Sequence, residues 1–527
     1  MNKVAPLLLG FLAIVLLVAS GHARAQQEVQ TELAYQASLH QGPEALRMFL
    51  TDFPKGADLH VHLSGAVYAE TLLREAGQDG LCVDPVALSI VRPPCSGSLL
   101  PAATLTGTRD AADQVLYDKL IDSISMRHYV QSADFGGHDQ FFATFGKFAA
   151  VSSSHIGEWV DEVAARAAEQ NQQYLELMET PAFGKAAQLA RALSGLPELA
   201  AHDDSGFAAL RQALLDHGLR EEIVAGRDHV LAAEVDRKQR EHCHSAQAIP
   251  ACKVETRYIY QLLRGAEPQR VFAQALLGFE TVAASMQAKD DTWVGINIVM
   301  PEDGFISMRD YTLHMRMFNY LHSIYPQVHI SLHAGELAPG LVAPEGLRFH
   351  IRQAVELGHA ERIGHGVDVM QEDDAPGLLR ELADRHVMIE INLSSNAGIL
   401  GVAGVRHPFP KYRAAHVPVA LSTDDEGVSR IDITHEYVRA ALDYGLSYRD
   451  LKELARTGME HDFLPGASFW AKPDAYSRSV SACAGQSAGD KAPAAKCAAF
   501  LAASQKASAQ WELERRFNAF EAKFAPP

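Results

Sequence analysis

Short apolar segments alternate with longer amphipathic segments over most of the chain, starting near residue 57. The segments that we predict as strands are Ala57–His62, Tyr174–Met178, Trp293–Val299, His329–His333, Arg362–His365, Val387–Leu393 and Val417–Ser422. Helical patterns lie between several of them, such as Ile156–Asn171 and Leu347–Leu357. Strand–helix alternation predicts a parallel sheet, because parallel neighbours need a crossover connection. The pattern alone leaves open whether the sheet is closed.

Other segments depart from this alternation. Within a main domain of residues 51–470, residues 74–110 are rich in Gly, Pro and Ser, and residues 200–257 are polar and largely helical. We interpret both as insertions. Residues 26–50 are predicted as an N-terminal helical segment. Residues 471–527 form a Cys-bearing tail that ends in an amphipathic helix near Trp511–Phe524.

The first 25 residues have the pattern of a signal peptide. Lys3 precedes an apolar run from Pro6 to Ser20, and Ala23-Arg24-Ala25 supplies a small-x-small cleavage site. The alternative is a membrane anchor, but the run is short for a spanning helix of ~20 residues. We expect export to the periplasm or the medium, with no stable membrane anchor.

The charge balance argues against nucleic acid as the main partner. The formal net charge is −18, and removal of Lys3 and Arg24 with the signal would make it −20. Such a surface repels phosphate backbones.

The six cysteines fall into three neighbouring pairs, each of which would close a short loop. In an oxidising compartment the simplest of the 15 connectivities is Cys82–Cys95, Cys243–Cys252 and Cys483–Cys497. Other pairings and free thiols remain alternatives at this point. No pair forms a CxxC motif, which argues against a zinc knuckle or a redox site.

Two histidine motifs stand at the ends of predicted strands. His60 and His62 are two residues apart, so in an extended strand both side chains point to one side and can share an ion. His333 ends another strand and is followed by Ala334, Gly335 and Glu336. Each motif alone is more often a structural histidine than a ligand.

Two further motifs end strands later in the chain. His365 lies between Gly364 and Gly366, and Asp424 and Asp425 are adjacent carboxylates. Buried paired carboxylates are costly unless a cation or hydrogen bonds offset them, although a helix N-cap would also explain Asp425. Together, three histidines and a carboxylate form a plausible zinc set.

The ordered motifs HVHLSGA, SLHAGE, RIGHG, SSNAGIL and LSTDDE resemble the adenosine deaminase family of the amidohydrolase superfamily, over roughly Pro54 to Phe463. Pro54-Lys55-Gly56 and the signal are more similar to its secreted, growth-factor-like branch than to the compact cytosolic enzymes. The resemblance implies a TIM-type (β/α)8 barrel with helical insertions, and hydrolytic deamination of a 6-aminopurine nucleoside, adenosine, to inosine and ammonia. It also implies one Zn²⁺ per chain.

The resemblance also implies a role for each motif residue. His60, His62, His333 and Asp424 would bind the metal. His365 would orient the nucleophilic water and accept its proton, Glu336 would protonate purine N1, and Asp425 would hydrogen-bond the water or purine N7. Ser395-Asn396 also matches the family, although a structural turn explains it equally well. His407-Pro408 matches too, but a buried, hydrogen-bonded histidine is the better explanation of His407.

Two positions depart from the family pattern and concern substrate binding. Ser64 stands where compact members carry an Asp that binds the ribose 5′-hydroxyl. Met300 stands where the family has a Gly whose N–H approaches purine N3. We therefore keep a 5′-modified adenosine, an N6-methylated adenosine and adenine as alternative substrates.

Two alternatives of other classes also remain. A two-metal amidohydrolase that cleaves peptide-like or lactone bonds usually needs a bridging carboxylated Lys, and none is clearly placed in this sequence. A secreted binding or signalling protein on a deaminase scaffold would not need the acid and base residues that the chain retains.

Overall fold

The computed structural model describes residues 26–107, 110–132, 134–151, 153–181, 183–193, 195–200 and 204–525. The signal peptide predicted for residues 1–25 lies outside this part. The chain forms an eight-stranded sheet in which each strand is hydrogen-bonded to the next along the chain. The strands are β1 Gly56–His62, β2 Gln172–Glu179, β3 Glu255–Leu263, β4 Trp293–Val299, β5 His329–Ala334, β6 Arg362–His365, β7 Met388–Ile391 and β8 Val419–Leu421.

The sheet closes on itself through the residues that follow β8. The Asp424 N–H donates to the His60 carbonyl at 2.9 Å, and the His62 N–H donates to the Asp424 carbonyl at 3.0 Å. This parallel bridge joins the last strand to the first. The closed, parallel sheet surrounded by helices confirms the predicted TIM-type (β/α)8 barrel.

Register decides which side chains meet inside the barrel. His333 of β5 pairs with Gly364 of β6, and Gly364 pairs with Glu390 of β7. The three positions therefore lie side by side on neighbouring strands. All residues of β4, β6, β7 and β8 are buried, as expected for parallel strands covered by helices.

Helices cover the connections between strands and both ends of the described chain. The first spans residues 26–41. The other α-helices are Pro43–Thr51, Leu63–Ala66, Ala69–Gln78, Ala111–Ser123, Gly137–Phe148, Ile156–Glu169, Phe183–Ala192, Ser205–Leu214, Arg220–Arg240, Pro268–Ala288, Phe305–Arg309, Tyr311–Ile324, His350–Glu356, Ala375–Asp384, Leu393–Leu400, Phe409–Ala414, Glu426–Ser429, Ile433–Tyr444, Tyr448–Glu460, Ala495–Ala502 and Gln505–Glu521.

One barrel strand was missed by the sequence analysis. β3 begins at Glu255, inside the segment that we interpreted as a polar insertion up to residue 257. In its sequence, ETRYIYQLL, the aromatic residues Tyr258 and Tyr260 are buried, whereas Arg257 and Gln261 are partly exposed. The aromatic, alternating pattern is typical of a strand, but polar neighbours on its N-terminal side masked it.

All three predicted disulfides are present. Cys82–Cys95 closes a segment that forms a small antiparallel sheet of Cys82–Asp84, Ser89–Val91 and Leu100–Pro101. Cys243–Cys252 follows the long helix Arg220–Arg240. Cys483–Cys497 lies in the C-terminal tail. This confirms the simplest of the pairings that the sequence left open.

The described chain divides into two compact units. The larger contains residues 58–168 and 174–436, and therefore most of the barrel. The smaller contains residues 26–57, 169–173 and 437–525. Inside the smaller unit, Phe469, Trp470 and Trp511 pack around the buried Cys483–Cys497 disulfide. None of the helices formed by the described residues combines the length and the apolar character needed to cross a bilayer.

Candidate active site

Four predicted metal ligands meet at the carboxyl ends of β1, β5 and β8. One potential ligand atom from each of His60, His62, His333 and Asp424 lies within 4.8 Å of the others. His62 Nε2 is 3.1 Å from His333 Nε2 and 3.2 Å from Asp424 Oδ1. His60 Nε2 is 3.4 Å from the same carboxylate oxygen. The structure therefore brings together the full set that the sequence predicted.

Each of these histidines presents its other ring nitrogen to an oxygen. His60 Nδ1 is 2.6 Å from Glu390 Oε2, and His62 Nδ1 is 2.5 Å from Gln261 Oε1. His333 Nδ1 is 2.8 Å from an oxygen of Asn297, which also accepts the His333 backbone N–H at 3.2 Å. An oxygen acceptor at Nδ1 places the proton there and leaves a lone pair on Nε2.

Three lone pairs and a carboxylate that point at one another repel unless a cation lies between them. Nε2 of His60 is buried and has no hydrogen-bond partner in the described part of the chain. Burial alone would lower the pKa of His60, but the carboxylates of Asp424 and Glu390 raise it to about 10. The donor set of three imidazoles and one carboxylate thus favours a positive charge at this point and fits a divalent metal ion.

Glu336 lies beside the ligands and is buried. Burial, followed by the negative charges of Asp424 and Glu302, raises its pKa well above the usual carboxyl range. Glu302 holds the Glu336 backbone in place, because its two oxygens accept the N–H groups of Gly335 at 3.1 Å and Glu336 at 2.7 Å. Burial and these charges therefore favour the protonated form of the Glu336 carboxyl group.

Asp425 is the second buried acid of the cluster. Burial, and then the charges of Asp424 and Glu336, raise its pKa well above the usual range. Gly65 makes room for it, since a Cβ at that position would lie 1.6 Å from Asp425 Oδ1. A residue with a side chain at position 65 would therefore collide with Asp425 in its present position.

His365 is fully buried near the ligands, but its contacts differ from theirs. Burial lowers its pKa to about 3. Its Nε2 lies 3.9 Å from Asp424 Oδ2, and its Nδ1 lies 2.9 Å from the amide nitrogen of Asn396. The backbone of His365 is left-handed, with φ of 72°, as is that of Asp424, with φ of 63°. Such conformations are costly for residues with a side chain and are concentrated at functional sites.

A cavity of about 400 Å³ opens in front of this cluster. Ser64 and Met300, the two predicted substrate-binding residues that depart from the family pattern, both line it. Met300 has a left-handed backbone with φ of 93°, and its Sδ accepts the Gly265 N–H at 3.3 Å. The remaining wall is largely apolar and includes Phe141, Phe142, Phe145, Leu263, Val299 and Pro301.

The residues that support the proposed ligands were not predicted from the sequence. Glu390 bonds to His60, Asn297 to His333 and Gln261 to His62. Glu390 and Asn297 were recognisable as single polar residues inside strands that are otherwise apolar. Gln261 lies on the strand that was not predicted.

Comparison with known proteins agrees with the geometry. The family model described as adenosine deaminase matches residues 233–468, which carry His333, Glu336, His365 and the Asp424–Asp425 pair. This part of the chain is therefore similar to adenosine deaminases. Adenosine deaminase of Klebsiella pneumoniae (strain 342) is 39% identical over 137 residues, which are 26% of this chain and 38% of that protein. Adenosine deaminase of Escherichia coli (strain SE11) is 41% identical over the same length.

The chain spans about 38% of the length of these two adenosine deaminases. A solved structure of an amidohydrolase from Burkhoderia ambifaria, with bound Zn, covers 91% of this chain and 94% of its own. Its TM-score is 0.51 at 17% sequence identity, which supports the barrel fold of this chain.

Proposed function

We propose that the protein is an exported, zinc-dependent deaminase that converts adenosine, or a closely related 6-aminopurine nucleoside, into the 6-oxo product and ammonia. One observation carries this proposal. Three histidine nitrogens and a carboxylate converge at the floor of a cavity that is also lined by Glu336, a buried acid with a raised pKa. This is the combination that hydrolysis of an amidine carbon–nitrogen bond requires.

In this proposal His60, His62, His333 and Asp424 hold one zinc ion. The donor set favours zinc over magnesium or calcium, because those ions prefer oxygen ligands. When bound, the metal would lower the pKa of water in contact with it and so supply a nucleophile near neutral pH.

The buried acids act on the purine ring. Glu336 reaches the substrate with its proton and donates it to N1, which makes C6 electrophilic. Asp425, whose pKa is also raised, donates a hydrogen bond to N7. The oxygen of water adds at C6, and one of its protons passes to the amino group, which leaves as ammonia when the C6–N bond breaks. The other proton returns Glu336 to its acid form, so that one water is consumed for each ammonia released.

The cavity lining favours an uncharged substrate. Among the described residues that line it there is no Lys or Arg, whereas Glu336, Asp424 and Asp425 are acidic. Proteins usually bind phosphate groups through such cations. We therefore expect nucleosides or the free base to react and 5′-monophosphates to react poorly. Ser64 and Met300 make a 5′-modified adenosine the leading alternative to adenosine itself.

The cysteines support the exported location. All six form disulfides, and disulfides of this kind persist in oxidising compartments. The signal pattern of residues 1–25 points in the same direction.

The test is an ultraviolet absorbance assay of the zinc-loaded mature protein. The panel would contain adenosine, 5′-deoxyadenosine, 5′-methylthioadenosine, N6-methyladenosine, adenine and AMP. We expect turnover of at least one uncharged member, and a loss of roughly 10²–10⁴-fold in kcat for Glu336→Gln. The exposed Glu345→Gln is the matched control. A wild-type protein that changes the absorbance of no member would reject the proposed function.

A further inference from the structure

The four histidines of the site divide into two groups by what their Nδ1 atoms contact. Nδ1 of each proposed ligand faces an oxygen acceptor. Nδ1 of His365 instead faces two amide nitrogens, those of Asn396 at 2.9 Å and Asn392 at 3.4 Å. The difference decides which ring nitrogen of each histidine carries a proton.

A backbone N–H group, that of Phe409, determines which atoms donate and which accept in the hydrogen bonds that lead to His365. The Phe409 N–H lies 3.1 Å from Nδ1 of His407. A backbone N–H can only donate, so this Nδ1 accepts and the proton of the neutral ring is on Nε2. His407 is 2% exposed, and its contact with Phe409 excludes the doubly protonated ring.

His407 in turn orients the Asn396 amide. Nε2–H of His407 lies 3.0 Å from Oδ1 of Asn396, which must therefore accept. The other end of the same amide, Nδ2, then donates to Nδ1 of His365. Asn396 is fully buried, so bulk solvent does not compete for its amide group.

We propose that Asn396 and His407 are positioning residues that hold His365 as the neutral tautomer with its proton on Nε2. Resting on the proposed deaminase reaction, this assignment makes His365 a hydrogen-bond donor to the attacking oxygen. It replaces the proton acceptor that the resemblance implied.

The surroundings of His365 agree with this role. Nε2 is buried and has no hydrogen-bond partner in the part of the chain that the structure describes. The centroid of the His365 ring is 5.0 Å from that of His60 and 5.1 Å from that of His333, so the ring lies beside two of the proposed metal ligands. Glu336 Oε1 is 3.7 Å from Nδ1 of His365, beyond hydrogen-bond distance, and does not compete with Asn396. An N–H at Nε2 would also keep this nitrogen from acting as a fifth metal ligand.

The first test measures the tautomer and needs no turnover. In the zinc-loaded protein labelled with ¹⁵N-histidine, the His365 resonances are assigned by their loss in His365→Gln. We expect a protonated Nε2 and an unprotonated Nδ1 in the wild type. In Asn396→Asp, whose carboxylate only accepts, the proton should move to Nδ1. A wild type with the proton on Nδ1 would overturn the proposal.

The second test uses a matched pair of variants at the far end of the chain of hydrogen bonds. His407→Gln can keep a donor toward Asn396, whereas His407→Glu replaces it with an acceptor of the same length. We expect His407→Glu and Asn396→Asp to lower kcat by about tenfold or more with little change in KM, and His407→Gln to restore most of the loss. The exposed His416→Gln and His416→Glu are controls for the substitution itself.

Equal kcat values for His407→Gln and His407→Glu, at equal melting temperatures, would contradict the positioning role. The experiments distinguish a failure of the proposed deaminase reaction from a failure of the proposed His365 tautomer. A wild type that deaminates no 6-aminopurine but carries its proton on Nε2 would reject the reaction and leave the tautomer assignment confirmed.

Discussion

Oε2 of Glu390 lies 2.6 Å from Nδ1 of His60, and both side chains are completely buried. The other oxygen of Glu390 lies 2.8 Å from Nε of Arg362 and accepts the Ser331 hydroxyl at 2.9 Å. One carboxylate thus links a proposed metal ligand to a buried cation in the barrel interior. Outer partners of this kind fix the orientation and the tautomer of a ligand histidine.

Replacing Glu390 should weaken metal binding without removing a ligand. We expect Glu390→Gln to lower zinc affinity by about 10–100-fold, because a neutral amide replaces the carboxylate and holds the Nδ1 proton of His60 less strongly. Chelator competition at equilibrium measures the change. Glu241→Gln is a suitable control, since Glu241 is equally buried but pairs with Arg237 away from the cluster. Equal affinities for the two variants would argue against the assigned role.

Removal of the metal should destabilise the protein as well as inactivate it. A ligand that binds only the folded state stabilises it by about 4 kcal/mol at a concentration 1,000 times its Kd. We therefore expect dialysis against a chelator to lower Tm by several degrees and zinc to restore it. The rise in Tm should saturate near one zinc per chain. Saturation at two would instead favour a two-metal amidohydrolase.

Ser64 should control recognition at the 5′ position of the nucleoside. In the wild type we expect similar kcat/KM for adenosine and 5′-deoxyadenosine, because Ser64 is short and neutral. Ser64→Asp should favour adenosine by about tenfold, the value of one hydrogen bond to a charged group. The exposed Ser96→Asp serves as the control for added charge. A strong preference for the 5′-hydroxyl in the wild type would show that another residue makes this contact.

Glu372 should make the stability of the protein depend on pH. Burial raises its pKa from 4.5 to about 7, although Oε1 accepts the Ile351 N–H at 2.6 Å. The folded state therefore keeps a proton that the unfolded state has lost. Stability that is present below pH 4.5 is lost as the pH rises toward 7. Urea unfolding at pH 5 and pH 8 should show Glu372→Gln gaining on the order of 2–3 kcal/mol over the wild type at the higher pH. Glu345→Gln should show no such gain.

The disulfide of the C-terminal tail should contribute measurably to stability. Cys483 and Cys497 are separated by 14 residues and are both fully buried. Closing a loop of this length stabilises a fold by about 3 kcal/mol. We expect Cys483→Ala/Cys497→Ala to unfold at a correspondingly lower urea concentration. The partly exposed Cys243–Cys252 pair closes a shorter loop of 9 residues, and its double variant should cost less.

The sequence predicted those parts of the fold that follow from local patterns. Seven barrel strands were apparent because each is a short apolar run bounded by polar residues, and the proposed ligands were apparent because each ends such a run. β3 was missed because the segment before it is polar, and its first residues were assigned to that segment. The supporting contacts could not be predicted, since they depend on register between strands. His60 and Glu390, for instance, are 330 residues apart.

The closure of the barrel through Asp424 has a consequence for how the protein is made. The first two proposed ligands and the last are separated by more than 360 residues, and the backbone of the last one forms the bridge that joins β8 to β1. A growing polypeptide therefore acquires its complete metal site only after residue 424 has been synthesised and the ring of strands has closed. A chain that stops before residue 424 would lack one proposed ligand, so zinc affinity should distinguish chains with a completed barrel from shorter ones.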